Sequence, residues 1–271
     1  MPESGPAQVI DVCGVRLEYS WIEQNPHSPT AIVLLHEGLG SVAMWKTFPR
    51  RVHDATGLPV LAYSRAGHGK SSAPKEPRTS RYMHDEALVV LPSVLEVLGI
   101  RRPVLFGHSD GASIALIYAS AFSRSTASLI ALAPHVFVED VTVRSVAEAK
   151  QDYESGSLRG RLHRYHDDVD CAFHGWSDIW LRSDFHSWSI EHLLPQVTCP
   201  VLAIQGGQDR YGTFAHLDRL VDSIPNIQFL RLDACGHSPH WDAPRKVLTA
   251  TSDFLSHQMK LSLPKQPKGI P

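Results

Sequence analysis

No stretch of about 18 consecutive apolar residues occurs in the chain, so the sequence predicts no membrane-spanning helix. A dominant charge is also lacking: 26 Lys and Arg stand against 28 Asp and Glu, for a formal net charge of −2. No electrostatic argument then favours nucleic acid or an anionic membrane as a partner. The opening MPESGPAQVI lacks the basic-then-apolar pattern of a secretory signal. Cysteines are few and scattered, and Cys13, Cys171, Cys199 and Cys235 show no C-x-x-C spacing. They read as reduced, mostly buried thiols, and a cytoplasmic location is expected. Histidine is abundant, at 16 residues. A metal site needs ligands at a suitable spacing, such as H-E-x-x-H. His163 and His166 lie three apart with no third ligand nearby, so both read as surface or packing residues. No metal is expected.

What is present is an ordinary globular composition, 43% hydrophobic and 20% charged. The length, 271 residues, suits one large core with room for a small insertion. Short apolar runs lie at Ala31 to Leu35, Pro59 to Tyr63, Pro103 to Phe106, Ser128 to Ala133, Pro200 to Ile204 and Ile227 to Leu232. Continuous runs of this length predict strands buried on both faces of a sheet. Between them, Asp85 to Leu98 and Ala112 to Ala121 have helical spacing. Alternating strands and helices predict an α/β fold with a doubly wound, mostly parallel sheet. Upstream, Val9 to Trp21 reads as a hairpin turning at Cys13-Gly14.

The alternation fails over residues 138–194, which are rich in Asp, His, Arg and Trp. Base rates disfavour so long an irregular loop, so this stretch is expected to be a helical cap over the C-terminal edge of the sheet. Residues 1–137 and 195–260 then form the core. The Pro- and Lys-rich 261–271 segment is expected to be disordered.

The motif that carries chemistry is Gly107-His108-Ser109-Asp110-Gly111. G-x-S-x-G is weak alone. Here it follows a predicted strand and opens a predicted helix, the setting of a nucleophile elbow. Glycines flank the serine because its backbone must be strained there. A serine hydroxyl needs a base. His237, after the last strand and beside Gly236, is preferred over His36, His108 and His240. The side chain of His108 should point away from the nucleophile. The base needs an orienting carboxylate, and Asp209 after Pro200 to Ile204 gives the chain order Ser, Asp, His. Glu139 and Asp140 are the rival acids. An oxyanion hole needs two backbone N–H groups, expected from Asp110 and from Gly38 in the loop after Ala31 to Leu35.

Together these residues resemble the α/β-hydrolase superfamily over nearly the whole chain. His36-Glu37-Gly38 is similar to its histidine–glycine oxyanion motif. Ser64-Arg65-Ala66-Gly67-His68-Gly69-Lys70-Ser71 is similar to its D-x-R-G-x-G-x-S turn. Two departures are Glu37 in place of glycine and Ser64 in place of aspartate. A closer resemblance is to the biphenyl-hydrolase-like enzymes, the valacyclovirases. It covers Ser109-Asp110-Gly111, the cap, and His192-Leu193-Leu194-Pro195. This resemblance implies that Asp110 recognises a substrate ammonium group. The competing reading is a carboxylate that stabilises its own helix N-terminus.

These expectations describe a serine esterase acting on a small-molecule ester without a cofactor. Glu37, Asp110, His240, Trp176 and Trp180 are its candidate substrate-binding residues. Trp176, Trp180, Phe185 and Trp188 are expected mostly to pack the cap. One rival is a carbon–carbon bond hydrolase of ring-cleavage products. Such enzymes usually carry a serine–glycine–proline oxyanion loop, absent here. Another is a non-catalytic hydrolase-like binding protein, against which the complete triad argues. A dehalogenase would need Asp at position 109. The sequence carries no signal for an oligomeric state.

Overall fold

The β-branched runs and the leading hairpin form one eight-stranded sheet in the order β1-β2-β4-β3-β5-β6-β7-β8. A computed structural model describes residues 7–25 and 28–262. The strands are β1 (Gln8–Val12), β2 (Val15–Ile22), β3 (Ile32–Leu35), β4 (Val60–Tyr63), β5 (Val104–His108), β6 (Ser128–Leu132), β7 (Val201–Gly206) and β8 (Ile227–Leu232). β1 and β2 pair antiparallel through the Cys13-Gly14 turn, and β2 pairs antiparallel with β4. The remaining pairs are parallel.

Parallel strands need crossovers, and helices on both faces supply them. In chain order they are α1 (Phe48–Thr56), α2 (Tyr82–Asp85), α3 (Leu91–Val97), α4 (Asp110–Ala121), α5 (Asp140–Glu154), α6 (Ser157–Leu162), α7 (Val169–Trp180), α8 (Phe214–Ser223), α9 (Pro239–Asp242) and α10 (Pro244–Ser262). Strand residues alternate between two cores. Ile32 and Leu34 of β3 pack with Phe48 and Val52 of α1 and Phe254 of α10. Val33 and Leu35 pack on the other face with Leu91 of α3 and Ala115 of α4. The chain leaves β3 toward β4 on one side and returns to β5 on the other. This reversal opens a crevice at the C-terminal strand ends, where ligands bind in such sheets.

Two expectations need correction. β8 is not buried on both faces, because it is the sheet edge and only Leu232 among its residues is buried. The helix expected over Asp85 to Leu98 is interrupted by a π turn at Glu86–Val90. Pro92, at the start of α3, has no N–H with which to continue the ladder from the preceding turn.

Between β6 and β7, α5, α6 and α7 are followed by 3-10 turns at Ser183–Ser187 and Glu191–Gln196. Their apolar faces pack around Phe173, which stacks on Tyr153 at 3.7 Å between ring centroids, and continue the core on that face of the sheet. The tail expected to be disordered begins on the last residues of α10, with residues 263–271 lying outside the described residues. All four cysteines are free, but only Cys199 and Cys235 are buried; Cys171 is half-buried and Cys13 exposed. Among the described residues, no helix is long and apolar enough to cross a membrane.

Candidate active site

β5 ends at His108 and α4 begins at Asp110, so Ser109 alone makes the turn. Its φ of 53° and ψ of −119° are strained for a residue with a side chain. The surroundings hold it there. Ser109 N–H donates to the Leu132 carbonyl at 2.9 Å, and the Ser109 carbonyl accepts from Ala112 N–H at 2.8 Å. A Cβ on Gly107 would lie 2.3 Å from the Gly111 carbonyl oxygen, and one on Gly111 would lie 2.0 Å from that of Leu35. Glycine at both positions is what lets strand, helix and the end of β3 converge on the serine.

Ser109 Oγ lies 2.9 Å from His237 Nε2, and His237 Nδ1 lies 2.8 Å from an Asp209 oxygen. An ionised carboxylate only accepts, so Nδ1 carries the proton and Nε2 is free to accept from the serine hydroxyl. Asp209 is itself fixed, accepting from Tyr211 N–H at 2.7 Å and from the Gln205 amide at 2.8 Å. Burial pushes the Asp209 carboxyl up, but the charge and hydrogen bond of His237 and the Tyr211 N–H outweigh it and hold it below the usual range. His108 turns away from Ser109, and its ring nitrogen Nε2 reaches the His237 carbonyl at 2.7 Å, bracing the loop that carries the base. The rival acids are elsewhere: Glu139 pairs with His216 at 2.9 Å and with Thr213, and Asp140 opens α5.

The loop after β3 is held by buried histidines. His68 Nε2 donates to the Gly38 carbonyl at 2.9 Å. His166, from the segment between β6 and β7, donates to the Leu39 carbonyl at 2.8 Å and accepts from Gly69 N–H at 2.9 Å. It is therefore a buried bridge and not a surface residue; His163 is exposed. His36 accepts from Arg65 N–H at 3.0 Å and donates through Nδ1 to the Glu37 carbonyl. The Glu37 carboxylate accepts from Leu39 N–H, so it is a hydrogen-bonder within the loop as well as part of the cavity wall. A Cβ on Gly38 would lie 2.3 Å from the Trp176 ring, which rests on the loop. Among the described residues, no group of three metal-ligating side chains comes together.

A cavity of about 240 Å³ opens over Ser109. Its floor includes Gly38 and Asp110, and α6 and α7 contribute Leu158, Leu162, Trp176 and Trp180 to its walls. The Asp110 carboxylate is 1% exposed. It accepts from the Tyr82 hydroxyl at 2.6 Å and lies 3.9 Å from the Arg65 guanidinium. Burial raises its pKa against the pull of Arg65 and Tyr82. An internal cation, Arg65, thus stands beside one carboxylate oxygen, while the other, Oδ1, has no hydrogen-bond partner among the described residues. His240 is misplaced by the sequence reading. The short helix α9 turns it inward, where it packs against His108 (4.7 Å between ring centroids), Trp45 and Phe48. It lines a smaller neighbouring cavity of about 40 Å³ and not the one over Ser109. Trp188 and Phe185 stack on each other and pack against Trp180.

His135, Thr142 and Tyr211 also line the Ser109 cavity and carry no motif. The available signal for His135 is its place just after β6, at the functional end of a parallel strand. Burial, with the neighbouring His216 and His237, pushes its pKa down to about 3.

The profile of the alpha/beta hydrolase family matches residues 32–250. The chain is 24% identical to a 2-hydroxy-6-oxononadienedioate/2-hydroxy-6-oxononatrienedioate hydrolase of Pseudomonas putida, over 83% of this chain and 87% of that protein. It is 23% identical to the proline iminopeptidase of Lactobacillus delbrueckii subsp. lactis, over 84% of this chain and 90% of the relative. The enol-lactonase from Burkholderia xenovorans LB400 has a similar structure, with a TM-score of 0.72 at 19% identity, covering 92% of this chain and all of that one.

Proposed function

The chain belongs to the alpha/beta hydrolase family, and from that premise we propose that it hydrolyses small carboxylic esters through an acyl-serine intermediate. Ser109 Oγ attacks the ester carbonyl while His237 Nε2 takes its proton. Asp209 keeps the imidazole in the required tautomer and stabilises the imidazolium. The N–H groups of Gly38 and Asp110 hold the oxyanion; losing one such donor costs roughly 3 kcal/mol in the barrier. His237 then gives its proton to the leaving alkoxide. In the second step it takes a proton from water, which attacks the acyl carbon and releases the acid and free Ser109.

The observation that carries this reading is the 2.9 Å Ser109–His237 contact opening into a cavity with an acidic and apolar lining. The second reading, cleavage of a carbon–carbon bond, draws on the Pseudomonas relative. The substrate in that relative's name is a dicarboxylate, a dianion near neutral pH. The cavity here is lined by Glu37 and Asp110, and by no Lys or Arg among the described residues. Such walls offer a dianion no countercharge, and an uncharged ester needs none.

Purified protein is expected to release p-nitrophenol from short-chain p-nitrophenyl esters, and Ser109→Ala is expected to lack this activity. A 2-hydroxy-6-oxo-dienoate consumed far faster than every ester would favour the carbon–carbon reading instead.

A further inference from the structure

The cavity over Ser109 and the smaller one of about 40 Å³ adjoin each other, because Glu37, Met44, His108 and Ser238 line both. The smaller chamber thus begins at residues flanking the nucleophile and the base, yet the acyl-transfer steps give it no task. We propose that Met44 is a specificity-determining residue, the end stop that keeps one arm of the ester out of the second chamber. The inference rests on the esterase reading and names the substrate class: esters whose arm on that side is a short chain.

Of the four shared residues, Met44 is the one suited to this role. Glu37 is pinned, because its carboxylate accepts from Leu39 N–H and its carbonyl accepts from Arg65 at 2.9 Å. His108 is buried and held to the His237 carbonyl. Ser238 has too short a side chain to act as a stop. Met44 belongs to the 3-10 turn Val42–Trp45, between β3 and α1. The backbone of that turn is fixed. Val42 N–H donates to Ser64 Oγ at 2.9 Å, Met44 N–H donates to the Ser41 carbonyl at 3.1 Å, and the Trp45 ring stacks on Phe48. The Met44 side chain is half-buried and its thioether makes no hydrogen bond among the described residues, so it separates the chambers by shape alone. Beyond it the wall is formed by His36, Gly40, Ser41, Trp45, His240 and Trp241. Burial holds His36 well below its ordinary pKa and His240 at about 3, so both imidazoles are neutral near pH 7. A largely aromatic, uncharged wall of this kind suits an alkyl chain, with a gain of roughly fourfold for each methylene taken out of water. The chamber is small, so opening it lengthens the accepted arm by a few carbons only.

The test measures kcat/KM along two ester series. p-Nitrophenyl esters from acetate to decanoate vary the acyl arm, and acetates of ethanol to octanol vary the alcohol arm. The proteins are the parent, Met44→Ala, Met44→Leu, Trp241→Ala and the double variant Met44→Ala with Trp241→Ala. Leucine keeps nearly the volume of methionine. Trp241 lines the second chamber and not the first, and at 40% exposure its truncation is tolerable to the fold. Ratios between esters in one protein cancel any general loss of folded or active material. In one series the parent is expected to fall off beyond a short chain. In Met44→Ala, kcat/KM for an ester two carbons past the parent's optimum, relative to that optimum, should rise on the order of tenfold. Met44→Leu should keep the parent's optimum. Truncating Met44 also widens the first cavity, so the double variant decides. Trp241→Ala should leave the optimum of the parent in place and lengthen it further only when joined to Met44→Ala, since only then does the arm reach the second chamber. A parent indifferent to length in both series, an optimum unmoved in Met44→Ala, or a Trp241→Ala effect that is the same with and without Met44 overturns the proposal. Ester turnover with any of those results defeats this inference alone; no turnover of any ester by the parent defeats the esterase reading and this inference with it.

Discussion

At the scale of single residues, the histidines set the pH behaviour of the protein. His36, His68 and His108 are buried, and burial is the largest cause holding each well below its ordinary pKa. Burial likewise pushes His240 down to about 3, as it does His135. In the unfolded chain each protonates near pH 6.5, roughly the model-peptide value. Below that pH the unfolded state therefore binds more protons than the folded one, so stability falls as pH falls. Each such histidine removes about 1.4 kcal/mol per pH unit below that point. The urea midpoint is expected to drop steeply between pH 7 and pH 5, with His240→Leu reducing the slope by one proton. A midpoint that stays flat over this range would contradict the burial of these side chains. None of this is legible in sequence, because burial of a histidine leaves no mark in its spacing. Ser109, His237 and Asp209 are legible for the opposite reason. Each sits just beyond an apolar strand run, and the glycines around Ser109 are demanded by a backbone geometry that few other residues permit. His135 is missed because the contacts that hold it in the cavity wall, from Tyr211 and Ser113, reach across 76 and 22 residues of chain.

At the scale of elements, the strands are legible because burial on both faces forces continuous apolar runs. β8 breaks that rule at the sheet edge, and Pro92 breaks the helical period at the start of α3. The Ser64 departure also has an element-level cause. Its hydroxyl donates to the Glu18 carboxylate at 2.8 Å, and that carboxylate also accepts from Lys70 N–H at 3.0 Å. β2 thus supplies the carboxylate that the family's turn usually carries itself. The loop after β3 is clamped from two elements, by His68 from below and by His166 from the segment between β6 and β7. In the proposed mechanism His166 is a positioning residue for the Gly38 N–H, through its bond to the Leu39 carbonyl. His166→Ala is expected to lower kcat on the order of tenfold while KM changes little, since a displaced donor harms the transition state most. His166→Gln, which keeps a donor for the Leu39 carbonyl, should recover part of the loss. An unchanged kcat in His166→Ala would show that the loop keeps its place without the clamp.

At the scale of the whole molecule, the reversal of strand order at β3 gathers the loops after β3, β5, β7 and β8 at one end of the sheet. The helices between β6 and β7 close over that end. The order of the parts follows from the alternation of apolar runs. The identity of the cavity wall does not, because helices that pack on one another have no sheet register to fix which side chains face inward. Trp176 and Trp180 line the cavity, while Trp188 and Phe185 pack behind them. In the proposed mechanism Ser109 carries the acyl group between two half-reactions. Rapid acid quench of the protein with p-nitrophenyl butyrate, followed by mass spectrometry of its peptides, measures that directly. A butyryl adduct is expected on the peptide containing Ser109, formed within the first turnover and lost on further incubation. Steady turnover with no adduct, or an adduct on another residue, would contradict it.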